Sequence, residues 1–549
     1  MKNGRNELAD FLGVSRNSLS YVLFIKKVSN YYTTFDIPKK NGGFRTICAP
    51  TGNLKIMQRI LAQRLLNLQR KSDKISEDSR KLTQGFTRGK SFITNADVHK
   101  DKIYVINFDI EDFFSQFHFG RIVGYFEKNR YYSFSHSEAI ALAQLTCYEG
   151  HLPQGAPTSP VITNMICEIL DQHLLKIAKK YKMDYTRYAD DLTFSTSNRK
   201  FAEYKDGFID EIKSELNKSG LPLNESKTRI QYKDISQHVT GLVVNEVPHV
   251  DRKYYKLTRA ICNDLYHGKN VNINGGNITI KQLEGRVTFE YQIAKYNNQI
   301  LHNDLKKMYG RMLDVQKFLF YKTFIVNNRP LIITEGKTDV IYIQSALRKM
   351  YDLYPNLVNK RKNDFQFSLS FFRRTEMIQN IFRISADGAE ALSKIYCLYV
   401  GAEGAKNYYK YFIETCKLAP KYPTILLFDN EMDAGYPLKK FSNKLGNRSI
   451  HIFDKIKTEF YSELIPNSKL YLVTIPKTKN DNCEIESLFA QNTLNHLIDG
   501  RKFTTKNQYD SNEYYGKQIF SKYILYNYQK IDFLGFRKLL NIFVKIVNG

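Results

Sequence analysis

Apolar residues recur at three- and four-residue steps through ELADFLGVSRNSLSYVLF, which predicts helix over most of residues 1–34. YYTTFDIPKKNGGFRTICAP changes period: two β-rich runs flank Lys39, Lys40 and the turn Asn41-Gly42-Gly43, predicting a hairpin. LKIMQRILAQRLLNL then returns to an amphipathic helical pattern. YVINFDIEDFF predicts a strand running into a helix, SHSEAIALAQLTCY and SPVITNMICEILDQHLLKIAKKY predict helices, and TRYADDLTFST and HVTGLVVN predict strands. From about 253 to 325 the pattern is largely helical, broken by the Gly/Asn patch NVNINGGN. At Arg329 a different pattern starts. RPLIITEGKTDVIYIQSALRKM predicts strand, tight turn and helix, and PTILLFDNEMDAG a further apolar strand ending in acids. Strands alternating with helices imply a parallel sheet, so a boundary is expected near 320–330.

At 549 residues the chain is too long for one core, and two or three domains are expected. Charge narrows the partners. There are 82 Lys+Arg against 55 Asp+Glu, a net +27, shared as +16 over residues 1–327 and +11 over 328–549. With 38 Tyr and 36 Phe to offer stacking faces, this suits a polyanion such as nucleic acid. Composition alone fits a basic protein without such a partner equally well. Seven scattered cysteines form no CxxC pair, which argues against a zinc site and a disulfide framework. MKNGRNELADFLGV holds no apolar run long enough for a signal peptide, and no later stretch approaches a membrane span, so a cytoplasmic protein is expected.

Candidate chemistry starts at YTRYADDLTF, where Asp190 and Asp191 sit side by side in an aromatic strand. A Tyr-Ala turn can present both carboxylates at its tip, and magnesium offsets their repulsion. Asp109, ending the apolar run of YVINFDIEDFF, is placed to supply a third. Three aspartates holding two metals about 4 Å apart suit nucleotidyl transfer. Read alone, the pair is as compatible with a surface hairpin turn.

The pair has company. In order, the chain contains IPKKNGGFRTICAP, LTQGFTRGKS, NFDIEDFF, LPQGAPTSP, RYADDLTFS and LPLNESKT. This series resembles the successive motifs of reverse transcriptases over roughly residues 35–245. The resemblance implies an α+β right-hand polymerase with fingers, palm and thumb. It makes Asp109, Asp190 and Asp191 the ligands of two Mg2+ ions. Phe114 becomes the aromatic that blocks a ribose 2′-hydroxyl. Lys40 (or its neighbour Lys39) and Arg45 become fingers contacts to an incoming deoxynucleoside triphosphate. Gln154 lies beside that nucleotide, and Lys227 near the leaving pyrophosphate. Asn95, Ala96 and His99 in ITNADVHK, with Val239, Thr240 and Gly241 in HVTGLVVN, resemble the NAxxH and VTG elements of retron reverse transcriptases. That resemblance implies RNA binding by Asn95, His99, Val239, Thr240 and Gly241. It also implies an enzyme that binds its own structured noncoding RNA and copies part of it into a branched RNA–DNA chimera (msDNA), starting from a guanosine 2′-hydroxyl.

In the second half, LIITEGKTD delivers Glu335 to the end of a strand and Asp339 to the start of a helix, where ligands of open α/β sheets gather. LLFDNE adds Asp429 and Glu431 at alternate strand positions, and NCEIESLF offers Glu484 and Glu486. This resembles a Toprim domain, an α/β fold with a parallel sheet, over roughly 328–490; Glu431 stands where the family has aspartate. The resemblance implies that Glu335 works as acid or base, and that Glu335, Asp339, Asp429 and Glu431 hold one or two Mg2+. It further implies a nuclease acting on an undefined nucleic acid, as an effector of phage defence. No tyrosine-bearing topoisomerase module is apparent. The expected division is an N-terminal helical segment over 1–34, fingers and palm over 35–250, a thumb-like RNA-binding region over 251–325, Toprim over 328–500, and its extension over 501–549. A homo-oligomer carrying the chimera stays open. The competing expectation is a nuclease that uses a dead polymerase fold to bind RNA; the intact aspartates argue against it.

Overall fold

The structure, a computed structural model, describes residues 2–39, 42–71, 82–129, 132, 134–273, 276–301, 310–362, 364–433, 435–477, 483–506 and 508–549. The chain divides into two compact units, one of residues 1–252 and 293–301, the other of 253–292 and 302–549.

The first unit begins with the expected helix, Lys2–Leu12, and the expected hairpin, β1 (Tyr32–Pro38) against β2 (Phe44–Pro50), antiparallel throughout. Its centre is a four-stranded antiparallel sheet in the order β4-β5-β3-β6: β3 (Tyr104–Asp109), β4 (Asp184–Tyr188), β5 (Asp191–Thr196) and β6 (Arg229–Tyr232). Strand β3 pairs on both sides, so Val105, Ile106 and Phe108 are buried. Helices Ser159–Lys180 and Phe201–Lys218 supply Met165, Leu174, Phe208 and Ile212 to the same core. Phe108, Phe194 and Phe208 meet there at ring separations of 5.2–6.3 Å. Helix His136–Thr146 starts on a full capping box, Ser135 with Glu138, which satisfies N–H groups that the helix itself cannot. A short ladder of β7 (His238–Val239) and β8 (Leu242–Val243) ends the sequence of strands in this unit.

The second unit holds helices Ile280–Leu301 (up to Gln292) and Gly310–Phe320, most of helix Arg252–Tyr266, and a two-residue ladder of β9 (Asn272–Ile273) and β10 (Gly276–Asn277). Residues 253–292 and 310–325 of the segment expected to serve as a thumb therefore pack with the second half of the chain, while 293–301 belong to the first unit. The Tyr266 ring lies 5.2 Å from Phe412, and Gln316 donates to the Ile381 carbonyl at 2.7 Å. Asn380 donates to the Tyr291 hydroxyl at 2.7 Å.

Beyond these helices comes β11 (Leu331–Thr334), then a hairpin of β12 (Val358–Arg361) and β13 (Asp364–Phe367), then β14 (Ser370–Phe371), β15 (Thr424–Phe428), β16 (Tyr461–Glu463) and β17 (Leu470–Thr474). The sheet runs β14-β11-β15-β17-β16, parallel except for β16. LIIT and TILLF are buried at every position, as expected where helices cover both faces. Helix Lys517–Asn527 packs Phe520 and Ile524 into this core beside Tyr342, and Leu539, Leu540 and Phe543 of helix Arg537–Asn548 join them. Residues 501–549 are thus structural members of the second unit.

Candidate active site

Strand register builds the first acidic site. In the antiparallel pairing of β3 and β5, Asp109 stands directly opposite Asp191. Asp190 lies in the turn between β4 and β5, where Ala189 takes a left-handed φ of 56° to close a two-residue loop. The Asp190 carbonyl accepts from the Ile110 N–H at 3.1 Å, tying the turn to the end of β3. Register and turn thus bring Asp109, Asp190 and Asp191 together at one end of the sheet.

Electrostatics follow from the crowding. Asp191 is pushed up to about 7, first by burial and then by the Asp190 and Asp109 charges. Asp190 is also raised, chiefly by burial, with Lys227 and Arg45 pulling it back. Lys227 places its ammonium 2.8 Å from Asp109 Oδ1, while the Asn224 N–H donates to the Asp109 carbonyl at 2.8 Å and holds that loop in place. Arg45, exposed on β2, is close enough to Asp190 for its charge to be felt. Lys40 lies outside the described residues. The all-oxygen donor set suits a hard divalent ion, and carboxylates raised by burial and then by mutual repulsion are the ones that a cation would return to their ionised form. Among the described residues no group of three or more acidic, histidine or cysteine side chains is already gathered as a metal cage.

Gln154 and Phe114 are each held in place by contacts of their own. The Cys48 N–H on β2 donates to the Gln154 carbonyl at 2.8 Å, so the LPQG loop lies against the hairpin. Gly155 permits this approach: its φ is 122°, and a Cβ there would stand 2.8 Å from Ile47 Cγ2 and 2.9 Å from the Cys48 carbonyl. Phe114 follows Asp112, itself left-handed at φ 41°, in a 3-10 turn. Its half-buried ring meets Phe113 edge-on at 5.4 Å.

Asn95 and His99 are placed otherwise than a surface contact to RNA requires, because both are 0% exposed. His99 bonds Ser195 Oγ and Thr186 Oγ1, each at 2.7 Å, and Thr186 Oγ1 donates to Asn95 Oδ1 at 2.6 Å. Burial pushes the His99 imidazole down to about 3, so it is neutral. The chain of bonds fastens helix Phe92–Val98 to the hairpin that carries Asp190 and Asp191. Thr240 Oγ1 donates to the Phe92 carbonyl at 2.8 Å, joining the second short motif to the same helix. Val239 is buried, whereas Gly241 (φ 83°) is exposed.

Arg187, Asp171 and Gly85 escaped the reading of the sequence. Arg187 is wholly buried and bonds Asp171 twice, Nε to Oδ1 at 2.9 Å and Nη2 to Oδ2 at 2.8 Å. Its Nη1 also donates to the Ala189 carbonyl at 3.3 Å, so the guanidinium props the strained turn before the paired aspartates. Gly85 passes so close that a Cβ would lie 2.8 Å from the Ala189 nitrogen. An arginine set between the tyrosines of β4 was the available signal for this buried pair.

The second unit holds a second acidic cluster. Glu335 follows β11, and the Asp339 carboxylate accepts from the Gly336 N–H at 2.8 Å at the start of helix Lys337–Lys349. Glu335 Oε1 accepts from the Asp429 N–H at 3.0 Å, and Asp429 Oδ1 from the Ile485 N–H at 3.0 Å. Strand β15 ends at Phe428, so Asp429 and Glu431 sit in the loop beyond it, not at alternate positions of a strand. The buried Asn430 between them turns inward to the Ile475 carbonyl. Lys517, from the C-terminal segment, bonds Glu484 at 3.2 Å and Glu486 at 3.1 Å. Burial, reinforced by neighbouring acids, pushes Glu335 up to about 8, and burial chiefly raises Asp339 to about 6 and Glu486 to about 7. Asp429 and Glu431 are raised by the same causes. Glu486 Oε1 is buried without a hydrogen-bond partner among the described residues.

A family model described as reverse transcriptase (RNA-dependent DNA polymerase) matches residues 37–244. The chain is 31% identical over 316 residues to the retron Ec86 reverse transcriptase of Escherichia coli, covering 56% of this chain and 91% of that protein. It is 30% identical over 312 residues to the retron Mx162 reverse transcriptase of Myxococcus xanthus, covering 51% of this chain and 62% of that one. Among solved structures, a Candida albicans telomerase bound to a fragment of telomeric RNA aligns at a TM-score of 0.31 and 11% identity, over 52% of this chain and 59% of that one. With nine-tenths of a retron enzyme matched at this identity, and with the three aspartates in the register described above, the chain belongs to the retron reverse transcriptase family.

Proposed function

We propose that this RNA-directed DNA polymerase copies its own structured noncoding RNA into a branched RNA–DNA chimera primed from an RNA 2′-hydroxyl. We further propose that the second unit is a Toprim-type nuclease, the effector of a defence against phage. The observation that carries the polymerase reading is the register that sets Asp109 opposite Asp191 with Asp190 at the adjoining turn. Magnesium held by Asp109, Asp190 and Asp191 would supply activation of the attacking hydroxyl and neutralisation of the leaving group. The chain's own residues do the rest. Lys227, paired with Asp109, offers its ammonium to the departing pyrophosphate, and Arg45 offers a guanidinium to the triphosphate before it leaves. Phe114 closes the space beside the sugar, and Gln154, tied to the hairpin through Cys48, supports the nucleotide. Asn95 and His99 hold the catalytic hairpin from within, leaving contact with RNA to exposed backbone around Gly241. The Toprim reading is supported by Glu335 and Asp429, which follow two adjacent parallel strands and are joined by a hydrogen bond. There Glu335, Asp339, Asp429 and Glu431 would hold the magnesium.

The test is the chimera recovered from cells carrying the gene and the transcript encoded just upstream of it. Asp190→Asn keeps the side chain's shape and removes its charge, so the yield should fall by about a hundredfold or more. Near-normal yield from that variant would sink the assignment of the triad. Upstream DNA without a transcript bounded by inverted repeats would remove the retron-specific part of the reading.

A further inference from the structure

A cavity of about 980 Å3 lies wholly within the second unit, beside the Glu335 turn. Its walls are the hairpin of β12 and β13, the edge strand β14, and the first turns of helix Lys337–Lys349. Five basic residues line it against two acidic ones. Three of the five have internal duties. Arg374 donates to the carbonyls of Thr334 at 2.6 Å, Glu335 at 3.2 Å and Gly388 at 2.9 Å. Arg329 donates to the Phe367 carbonyl at 2.8 Å, and Lys337 stands 4.0 Å from Asp387. The guanidiniums of Arg361 and Arg373 are exposed and have no partner among the described residues. Between them the wall presents half-buried phenylalanines, notably Phe365 and Phe371.

Free cations in one wall with half-buried aromatic rings are a combination that takes a nucleic-acid strand, with phosphates on the arginines and bases on the exposed ring edges. Rings accept a base only when it is unpaired, and a cavity of this size admits a few unpaired nucleotides and not a duplex. Thr334, Gly336 and Lys337 belong both to the cavity wall and to the turn that carries Glu335. A strand lying in the cavity would therefore run beside that turn, whose Glu335 carboxylate is directed toward Asp429. Arg374 fixes the wall to the acid's own backbone through its bonds to the Thr334 and Glu335 carbonyls.

We propose that this cavity is a channel for single-stranded nucleic acid leading to the Glu335 cluster, with Arg361 and Arg373 binding phosphates and Phe365 and Phe371 stacking bases. It rests on the nuclease reading of the second unit and names its substrate as single-stranded. The test uses the full-length protein, a 20-nucleotide single strand carrying 4-thiothymidine, and the same strand annealed to its complement. After irradiation, the cross-linked peptides are mapped by mass spectrometry. The expected result is adducts within residues 361–374 for the single strand. In Arg361→Glu/Arg373→Glu they should fall about tenfold, as two lost phosphate contacts predict, while adducts in residues 35–245 persist. Both substituted residues are exposed, and an unchanged melting curve verifies the fold. Adducts in 35–245 alone, or equal adducts in 361–374 from the duplex, overturn the channel. Adducts in 361–374 with no magnesium-dependent cleavage of the bound strand overturn the nuclease reading and leave the channel standing.

Discussion

Both units gather carboxylates around a lysine, yet they balance charge differently. In the first, three aspartates from one antiparallel sheet share Lys227, with Arg45 and Arg229 contributing at longer range, and Asp191 reaches only about 7. In the second, six acids from strand ends and loops share Lys517, and Glu335 reaches about 8. The first site arises from strand register and needs little else to bring its acids together. The second arises from strand ends and loops that converge, and its backbone N–H groups at Gly336, Asp429 and Ile485 do part of the work of holding the charge. A cation has more repulsion to relieve in the second site than in the first.

If the two sites are independent machines, Glu335→Gln separates them completely. Glutamine neither takes up a proton nor holds a metal as a carboxylate does, so nuclease activity and any toxicity in cells should vanish. Chimera yield in the same cells should stay within about twofold, since Asp109, Asp190 and Asp191 belong to another core. The measurement is toxicity and chimera recovery side by side, with and without the RNA. Full toxicity in the variant removes the second unit as effector. Lost chimera would mean that the two sites work as one.

The next effect is structural and confined to the first unit. Arg187→Met leaves Asp171 charged and wholly buried without its partner, which costs about 3–5 kcal/mol. Calorimetry of the full chain should show one transition displaced to lower temperature while the other stays in place. Arg187→Met/Asp171→Leu should recover most of the loss. A single transition that moves as a whole would show that the units do not unfold separately.

With the transitions assigned in this way, pH distinguishes the two sites further. Glu335 and Glu486 titrate near 8 and 7 in the fold and near 4.5 when unfolded, so between those values the folded state holds more protons. Stability of the second unit therefore falls as pH rises from about 5 to 8 in chelator, and magnesium at pH 8 should restore it. His99 acts with opposite sign in the first unit. Its folded value of about 3 lies below the ordinary 6.5, so its contribution is intact above 6.5 and lost as pH falls toward 3. A second transition that is flat from pH 5 to 8 would contradict the crowding described here.

How much of this was legible in the chain depends on whether the signal was local. The order of six short motifs carried the first site, because strand period and a two-residue turn suffice to bring Asp109, Asp190 and Asp191 together. The pairing of Lys227 with that site came with the motif order too. Arg187 with Asp171 was hidden: one sits on a strand and the other on the preceding helix, and nothing local says that they meet. Lys517 was hidden for the same reason, since it enters the second cluster from the C-terminal segment. Helical periodicity over 253–325 announced a buried face without saying what buries it, and the structure sets much of that face against the second half of the chain. Asn95 and His99 carried a short motif whose spacing was visible while its burial was not.

The smallest expected effect concerns selectivity at the first site alone. Phe114 stands five residues after Asp109, in a turn set by the left-handed Asp112, with Phe113 and the core beneath fixing its ring. The ring is partly packed against the core, so its exposed part is held in place, as the proposed exclusion of a 2′-hydroxyl requires. Phe114→Ala opens that space and should raise ribonucleotide over deoxynucleotide incorporation by about tenfold, the discrimination that one steric contact supplies. Phe114→Tyr keeps the bulk and should preserve the ratio. Primer extension with each nucleotide type measures it, and the nuclease activity proposed for the second unit, measured in parallel, should not change. An unchanged ratio in Phe114→Ala would leave Phe114 as packing for Phe113 and move the gate elsewhere in the site.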